Sequence, residues 1–305
     1  MTAAGDRAAA YRGRFAPSPT GPLHFGSLVA ATASFLQARS RGGEWFVRIE
    51  DLDGPRTAAG AADDILRTLE EFGFTWDGKV TCQSRNGAAY ADALARLDAR
   101  GALYHCGCTR REIADSSARG VDGPVYPGTC RDTGRRQGAL RVRTGGEAIM
   151  FHDLVQGEVR CDLAREIGDF IVSRADGLYA YQLAVTVDDA AQGITEVVRG
   201  ADLLLSAPRQ IHLQKLLDLP SPAYAHLPVA LDADGQKLSK QTGAAPVSGR
   251  DPVPLLIAAL RFLGQQPPET LRNAGLDEVW RWAHGHWHLR QVPRQALPVS
   301  RHATG

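Results

Sequence analysis

The stretch Arg14-Phe15-Ala16-Pro17-Ser18-Pro19-Thr20-Gly21-Pro22-Leu23-His24-Phe25-Gly26-Ser27 joins an expected strand to an expected helix and carries the first residues that could do chemistry. Backbone amides at a helix start lack intrahelical partners and attract phosphate. Gly21 and Gly26 let the backbone approach a nucleotide without a Cβ in the way, and His24 falls in the first turn, placed to donate to a phosphate oxygen. A Pro/Gly turn with a solvent-facing histidine satisfies the same pattern. A second candidate is Lys237-Leu238-Ser239-Lys240-Gln241, which alone reads as solvated charge in a polar loop. A third is the pairing of Arg14 with Glu50, in Arg48-Ile49-Glu50-Asp51-Leu52-Asp53. The C-terminal ends of neighbouring parallel strands open on one crevice, so the pair offers a cation for a carboxylate and an anion for an ammonium. For Arg48 and Glu50 a structural ion pair at the sheet edge fits equally well. Finally, Cys106, Cys108 and Cys130 supply three soft metal ligands, one short of a closed zinc site. His105, Asp132 and Tyr126 are candidates for the fourth. His105 would point away from Cys106 in an extended segment, and ligand chemistry favours Asp132.

The elements that must position these residues follow from periodicity. Tyr11–Phe15 reads as a strand, 26–40 as a helix, and Glu44–Ile49 as a buried strand rich in aromatic and β-branched residues. Ile65, Leu66, Leu69 and Phe72 recur at helical spacing, as do Tyr90, Leu94 and Leu97, the latter ending near Gly101. Strand, helix, strand, helix in this order implies an α/β fold with a parallel sheet covered by helices. The pattern breaks between about 104 and 136, where Gly, Pro and Cys accumulate around a capping box at Thr109–Glu112. This segment reads as an insertion. Strands are expected at 139–143, 170–173 and 178–187, the last two flanking an Asp176-Gly177 turn, and a helix at 208–217. The polar, Gly-rich stretch 232–249 reads as a mobile loop. Asp251-Pro252 opens a helix through Phe262, and another follows over 276–287, together a small helical segment at 251–290. Residues 1–9 and 291–305 read as tails, leaving 10–250 as the catalytic unit.

The bulk properties exclude less than the motifs do. The chain has 305 residues with 35 basic and 34 acidic side chains, a net charge of +1, so contact with nucleic acid requires a local basic patch. No stretch approaches the roughly 18–20 apolar residues that span a bilayer. Five cysteines make an odd number for a disulfide framework. These features point to a cytoplasmic protein without a membrane partner.

The turn from Arg14 to Ser27 resembles the signature of the class I aminoacyl-tRNA synthetases, their HIGH motif standing here as His24-Phe25-Gly26-Ser27. Arg-Phe-Ala-Pro-Ser-Pro-Thr-Gly is similar to the glutamyl and glutaminyl branch, and Lys237–Gln241 resembles the KMSKS loop. The resemblance implies a Rossmann-like catalytic domain that activates glutamate with ATP and Mg2+. It implies catalytic roles for His24, Lys240 and Lys237, and ATP contacts by Gly21, His24, Gly26, Ser27 and Lys240. The glutamate contacts it implies are Arg14, Phe15, Ala16, Pro17, Ser18, Glu50, Tyr181 and Arg199, with Glu50 holding the amino group and Arg199 facing the substrate carboxylate. Tyr126-Pro127-Gly128-Thr129-Cys130 is similar to the short glutamyl-synthetase-like proteins, in which this tyrosine completes a structural zinc site; by that resemblance the ligands are Cys106, Cys108, Tyr126 and Cys130. Only about 65 residues follow the lysine loop, where full-length glutamyl-tRNA synthetases carry a longer anticodon-reading region. The chain therefore resembles the truncated paralogues that attach glutamate to queuosine at the wobble position of tRNA(Asp). A short synthetase charging a tRNA 3′ end, a nucleotidyltransferase acting on a small molecule, and an inactive RNA-binding paralogue are the competing readings.

Overall fold

The computed structural model describes residues 10–116, 119–120, 123–146, 148–231, 245–294 and 297–298. The expected N-terminal tail, Lys237 and Lys240 lie outside the described residues. β1 (Arg12–Phe15) runs through the Pro/Gly turn into α1 (Phe25–Ser40), and the chain returns as β2 (Glu44–Ile49), parallel to β1 with Arg14 opposite Phe46. α2 (Ala61–Glu71) leads to β3 (Thr81–Cys82), which pairs in parallel with the end of β2, and α3 (Gly87–Ala99) follows. β4 (Leu103–Cys106), α4 (Arg110–Ser116), β5 (Arg119–Gly120) and β6 (Gly123–Pro124) precede β7 (Ala139–Val142), which pairs antiparallel with β4. The capping box forms as the sequence predicts: the Thr109 amide donates to Glu112 Oε2 at 2.7 Å, and the Glu112 amide donates to Thr109 Oγ1 at 3.2 Å.

The chain continues through β8 (Ile149–Asp153), β9 (Gly157–Cys161), the short α5 (Leu163–Glu166) and β10 (Phe170–Ser173), which completes an antiparallel sheet in the order β10-β7-β4. After α6 (Tyr181–Ala191), β11 (Glu196–Gly200) and β12 (Ala223–Leu227), separated by α7 (Ser206–Leu217), run parallel; β12 is parallel to β8 in turn, giving the order β11-β12-β8-β9. The Thr195 amide, just before β11, donates to the Arg12 carbonyl at 3.0 Å, joining this sheet to β1. The chain thus has the α/β architecture with a parallel sheet that the sequence implies.

One element differs. Residues 178–187, expected as a strand, hold only a single bridge, Ser173 with Tyr179, before the chain winds into α6. Val185, Thr186 and Val187 favour strands by side-chain type. Leu183 through Thr186, together with Asp188 and Asp189, are all buried, so α6 has no polar face from which a helical period could be read.

β13 (Ala230–Leu231) comes just before the lysine string, and α8 (Pro252–Phe262), α9 (Leu276–His286) and β14 (Leu297–Pro298) come after it, with β14 parallel to β13 inside the segment expected as a tail. α1 is the centre of the fold, buried along nearly its whole length. Its polar residues are tied down. Gln37 donates to Glu196 at 2.8 Å and accepts from the Trp287 indole at 2.9 Å, while Ser34 accepts from the Trp45 indole at 3.0 Å. Phe25 meets Phe262 of α8 edge-on with centroids 5.9 Å apart, and Phe35 meets Trp280 of α9 at 5.2 Å.

Candidate active site

A cavity of about 660 Å³ opens where β1, β2, β11 and the start of α1 converge. It is lined by Arg14, Phe15, Ala16, Pro17, Ser18, His24, Gly26, Ser27, Glu50, Tyr181 and Arg199, bringing together residues named from three separate sequence motifs. Gly21 is not among the lining residues; it holds the turn with a φ of 141°, a conformation side-chain-bearing residues avoid. His24 is the N-cap of α1, its Nδ1 accepting from the Ser27 amide at 3.3 Å. Its ring therefore secures the helix start, which is where backbone amides face the cavity. Either side of the undescribed lysine string, Ala230 lines the cavity and Pro246 bridges to His24.

The charged groups fall into two sets. In the first, Arg14 grips Asp189 with both ends of its fork, at 3.1 and 3.2 Å, and Arg48 reaches Asp189 at 2.7 Å and Glu50 at 3.3 Å. Arg48 and Glu50 form a buried ion pair, and Glu50 also lines the cavity. Burial pushes the Glu50 carboxyl above its ordinary range against the pull of Arg48 and Arg14. Burial acts on Asp189 in the same sense, but its two arginines outweigh it and hold that carboxyl low. A ligand ammonium beside Glu50 would offset its desolvation in the same way.

In the second set, Arg199 is 6% exposed and lies on β11, in the strand position opposite His226. Its Nε donates to His226 Nε2 at 3.0 Å, and its terminal nitrogens reach the Tyr181 hydroxyl at 3.4 Å and the Leu203 carbonyl at 3.3 Å. Among the described residues it has no carboxylate partner. Asp189, His226 and Asp153 were not apparent as site residues from sequence. The one local signal was Asp188-Asp189 inside an otherwise apolar run; the arginines they serve lie more than 130 residues away.

The cysteine cluster forms as expected. Cys106, Cys108 and Cys130 place their sulfurs within 4.8 Å of one another. The Tyr126 hydroxyl lies 3.3 Å from Cys106 Sγ and 3.7 Å from Cys108 Sγ, and accepts from the Cys130 amide at 2.9 Å. Asp132, the alternative favoured by ligand chemistry, is 86% exposed and pairs with Arg143 at 3.3 Å, outside the cluster. His105 turns towards the Gly138 carbonyl. Three thiols and a phenol converging from β4 and the 126–130 turn form a donor set that suits zinc. The glycine at 168 makes the approach possible: a Cβ there would sit 2.7 Å from the Tyr126 backbone.

Comparison with known proteins places this geometry. Residues 10–273 match the family of class I tRNA synthetases (E and Q), catalytic domain. The chain belongs to that family. It is 59% identical over 293 residues to a glutamyl-Q tRNA(Asp) synthetase of Aromatoleum aromaticum, covering 95% of this chain and 93% of that protein. It is 57% identical to the protein of the same name from Dechloromonas aromatica, over 94% of this chain and 97% of its relative. In fold it is similar to a glutamate tRNA ligase from Elizabethkingia meningosepticum, with a TM-score of 0.79 at 22% identity, covering 97% of this chain and 68% of that one. Within this class I family the chain is a ligase. No helix among the described residues is long and apolar enough to cross a membrane.

Proposed function

We propose that the cavity binds ATP and glutamate, joins them as glutamyl-adenylate, and passes the glutamyl group to queuosine at the wobble position of tRNA(Asp). One observation carries the reading. A buried guanidinium with no acid partner among the described residues (Arg199) and a carboxylate whose side chain is 8% exposed (Glu50) line a single cavity that also contains the start of α1. A zwitterion with an anionic side chain satisfies both charges: its ammonium pairs with Glu50, its side-chain carboxylate with Arg199, and Tyr181 adds a hydroxyl beside the arginine. Its α-carboxylate is then free to attack the α-phosphorus of ATP, and the bond to pyrophosphate breaks. Negative charge builds on the phosphoryl oxygens during this step, which amides at the helix start, His24 and Lys240 would stabilise, with help from Lys237. Mg2+ would accompany the ATP phosphates. In this reading Arg14, with Nε and Nη2 on Asp189, and Phe15–Ser18 line the glutamate end of the pocket, and Asp189 ties Arg14 to Arg48. The names of the relatives support the acceptor.

Zinc held by Cys106, Cys108, Tyr126 and Cys130 would serve structure, tying β4 to the 126–130 turn; it supplies no group to the cavity. The activation step is tested by ATP–pyrophosphate exchange over a panel of amino acids. Glutamate should support exchange and glutamine should not. Arg199→Ala should raise the glutamate KM by about 10- to 100-fold, the size of a lost hydrogen-bonded charge contact. Lys240→Ala should act on kcat, since its charge is needed mainly in the transition state. Exchange supported equally by glutamine would overturn the reading.

A further inference from the structure

Three adjacent strands, β8, β12 and β11, each contribute one side chain to a continuous buried chain of hydrogen bonds. His226 Nδ1 lies 2.6 Å from Asp153 Oδ2, and both side chains have no exposure. His226 Nε2 receives the Arg199 Nε–H at 3.0 Å. A guanidinium can only donate, so Nε2 is the acceptor and the imidazole proton sits on Nδ1, donated to Asp153. Asp153 is itself fixed, its Oδ1 accepting from the amides of Val155, Gln156 and His226 at 3.0, 2.8 and 3.1 Å. Tyr224 stacks on the His226 ring, and the Arg199 guanidinium lies 5.5 Å above the Tyr224 ring.

Arg14, in the same cavity, shows what a direct acid does. Its Nε and Nη2 both donate to Asp189, so that edge of the guanidinium is paired with an acid inside the protein. At Arg199 the acid stands one imidazole further back. The neutral ring satisfies Nε and fixes the plane of the guanidinium, yet leaves both terminal nitrogens on weak neutral contacts of 3.4 and 3.3 Å that an incoming carboxylate can displace.

We propose that His226, held in its Nδ1–H form by Asp153, is a positioning residue for amino-acid selection: it orients Arg199 without neutralising it, so that the site accepts a carboxylate side chain. The inference rests on the reading of Arg199 as the contact for the glutamate side chain. An apolar residue at 226 would leave the Nε–H buried without an acceptor, and an acid there would occupy the guanidinium before substrate arrived.

The test is steady-state ATP–pyrophosphate exchange with glutamate and ATP varied separately, in His226→Gln, His226→Glu, His226→Phe and Asp153→Asn, with thermal melting recorded for each. His226→Gln keeps a neutral acceptor and should hold the glutamate KM within about threefold of the parent. His226→Glu, of the same shape but charged, and His226→Phe should raise it by roughly tenfold or more, one lost interaction of about 1.4 kcal/mol, with the ATP KM unchanged. Asp153→Asn, which turns an amide donor toward Nδ1 and drives the proton to Nε2, should do the same, and it decides the matter if the Phe variant fails to fold. Equal glutamate KM values for the Gln and Glu variants, or a parallel rise in the ATP KM, would overturn the proposal. Arg199→Ala in the same assay separates the two layers. If it leaves the glutamate KM unchanged, the reading of Arg199 itself falls. If it raises the KM while the charged and apolar His226 variants do not, only the role of His226 falls.

Discussion

The two halves of the molecule that carry sequence motifs are stabilised in opposite ways. Around α1, Phe35, Trp45, Phe74 and Trp280 pack ring against ring, with centroids 5.1 to 5.7 Å apart, inside an apolar cluster that runs from β1 to α9. The cysteine-bearing segment has a cluster of four buried residues, Tyr104, Cys106, Tyr126 and Cys130, flanked by Cys108 and Ile113. So little apolar surface offsets only a small part of the chain entropy of ordering some thirty residues. The cavity sits against the first region, whose walls need no cofactor to hold their shape. The second would gain most from a cross-link, which its three thiols and phenol could supply by holding the proposed zinc.

If zinc is held there as proposed, its removal should give the largest contrast. Structural zinc contributes on the order of 10 kcal/mol in small domains, so chelation should abolish amide protection across residues 104–136 while the exchange protection of α1 and β2 persists. Protection lost equally in both regions, or in neither, would break the comparison. Trp280→Ala probes the other half. It removes a buried ring and leaves the Phe72 carbonyl without its indole donor at 2.9 Å, so global stability should fall by about 3–5 kcal/mol with zinc content unchanged; denaturant melts and metal analysis check both.

The smallest effect is expected at the seam. Asp169 accepts from Tyr104, Arg131 and Thr144, fastening the cysteine segment to β10. Burial alone would raise its carboxyl, but these donors win and hold it below the ordinary 3.8. A carboxyl depressed in the folded state stabilises above its unfolded value and loses that contribution as pH falls through the folded value. Stability of the segment should therefore decline below about pH 4, and Asp169→Ala should cost roughly 1–3 kcal/mol near neutrality and flatten that decline. A full acid-induced loss persisting in the variant would assign the effect elsewhere.

What the sequence disclosed follows the same division between local and distant. β1, α1 and β2 could be read because strand and helix periods and a Pro/Gly turn are short-range signals, and the capping box at Thr109–Glu112 because its two partners lie three residues apart. The fourth donor at the cysteine cluster needed resemblance, since ligand chemistry alone preferred Asp132. α6 was misread because burial on all sides erased its period. Asp189 and His226 stayed hidden because their meaning lies in partners across the sheet: Asp189 is 175 residues from Arg14, and Asp153 is 73 from His226. The cavity's outline was thus legible from motifs, and the charges behind its walls only from the fold.

The most direct test of the account is transfer of labelled glutamate, with ATP, to two preparations of tRNA(Asp), one carrying queuosine and one lacking it. Label is expected on the queuosine-bearing tRNA alone. Label on both preparations, or at the 3′ end of a glutamate tRNA, would contradict it and return the chain to ordinary aminoacylation.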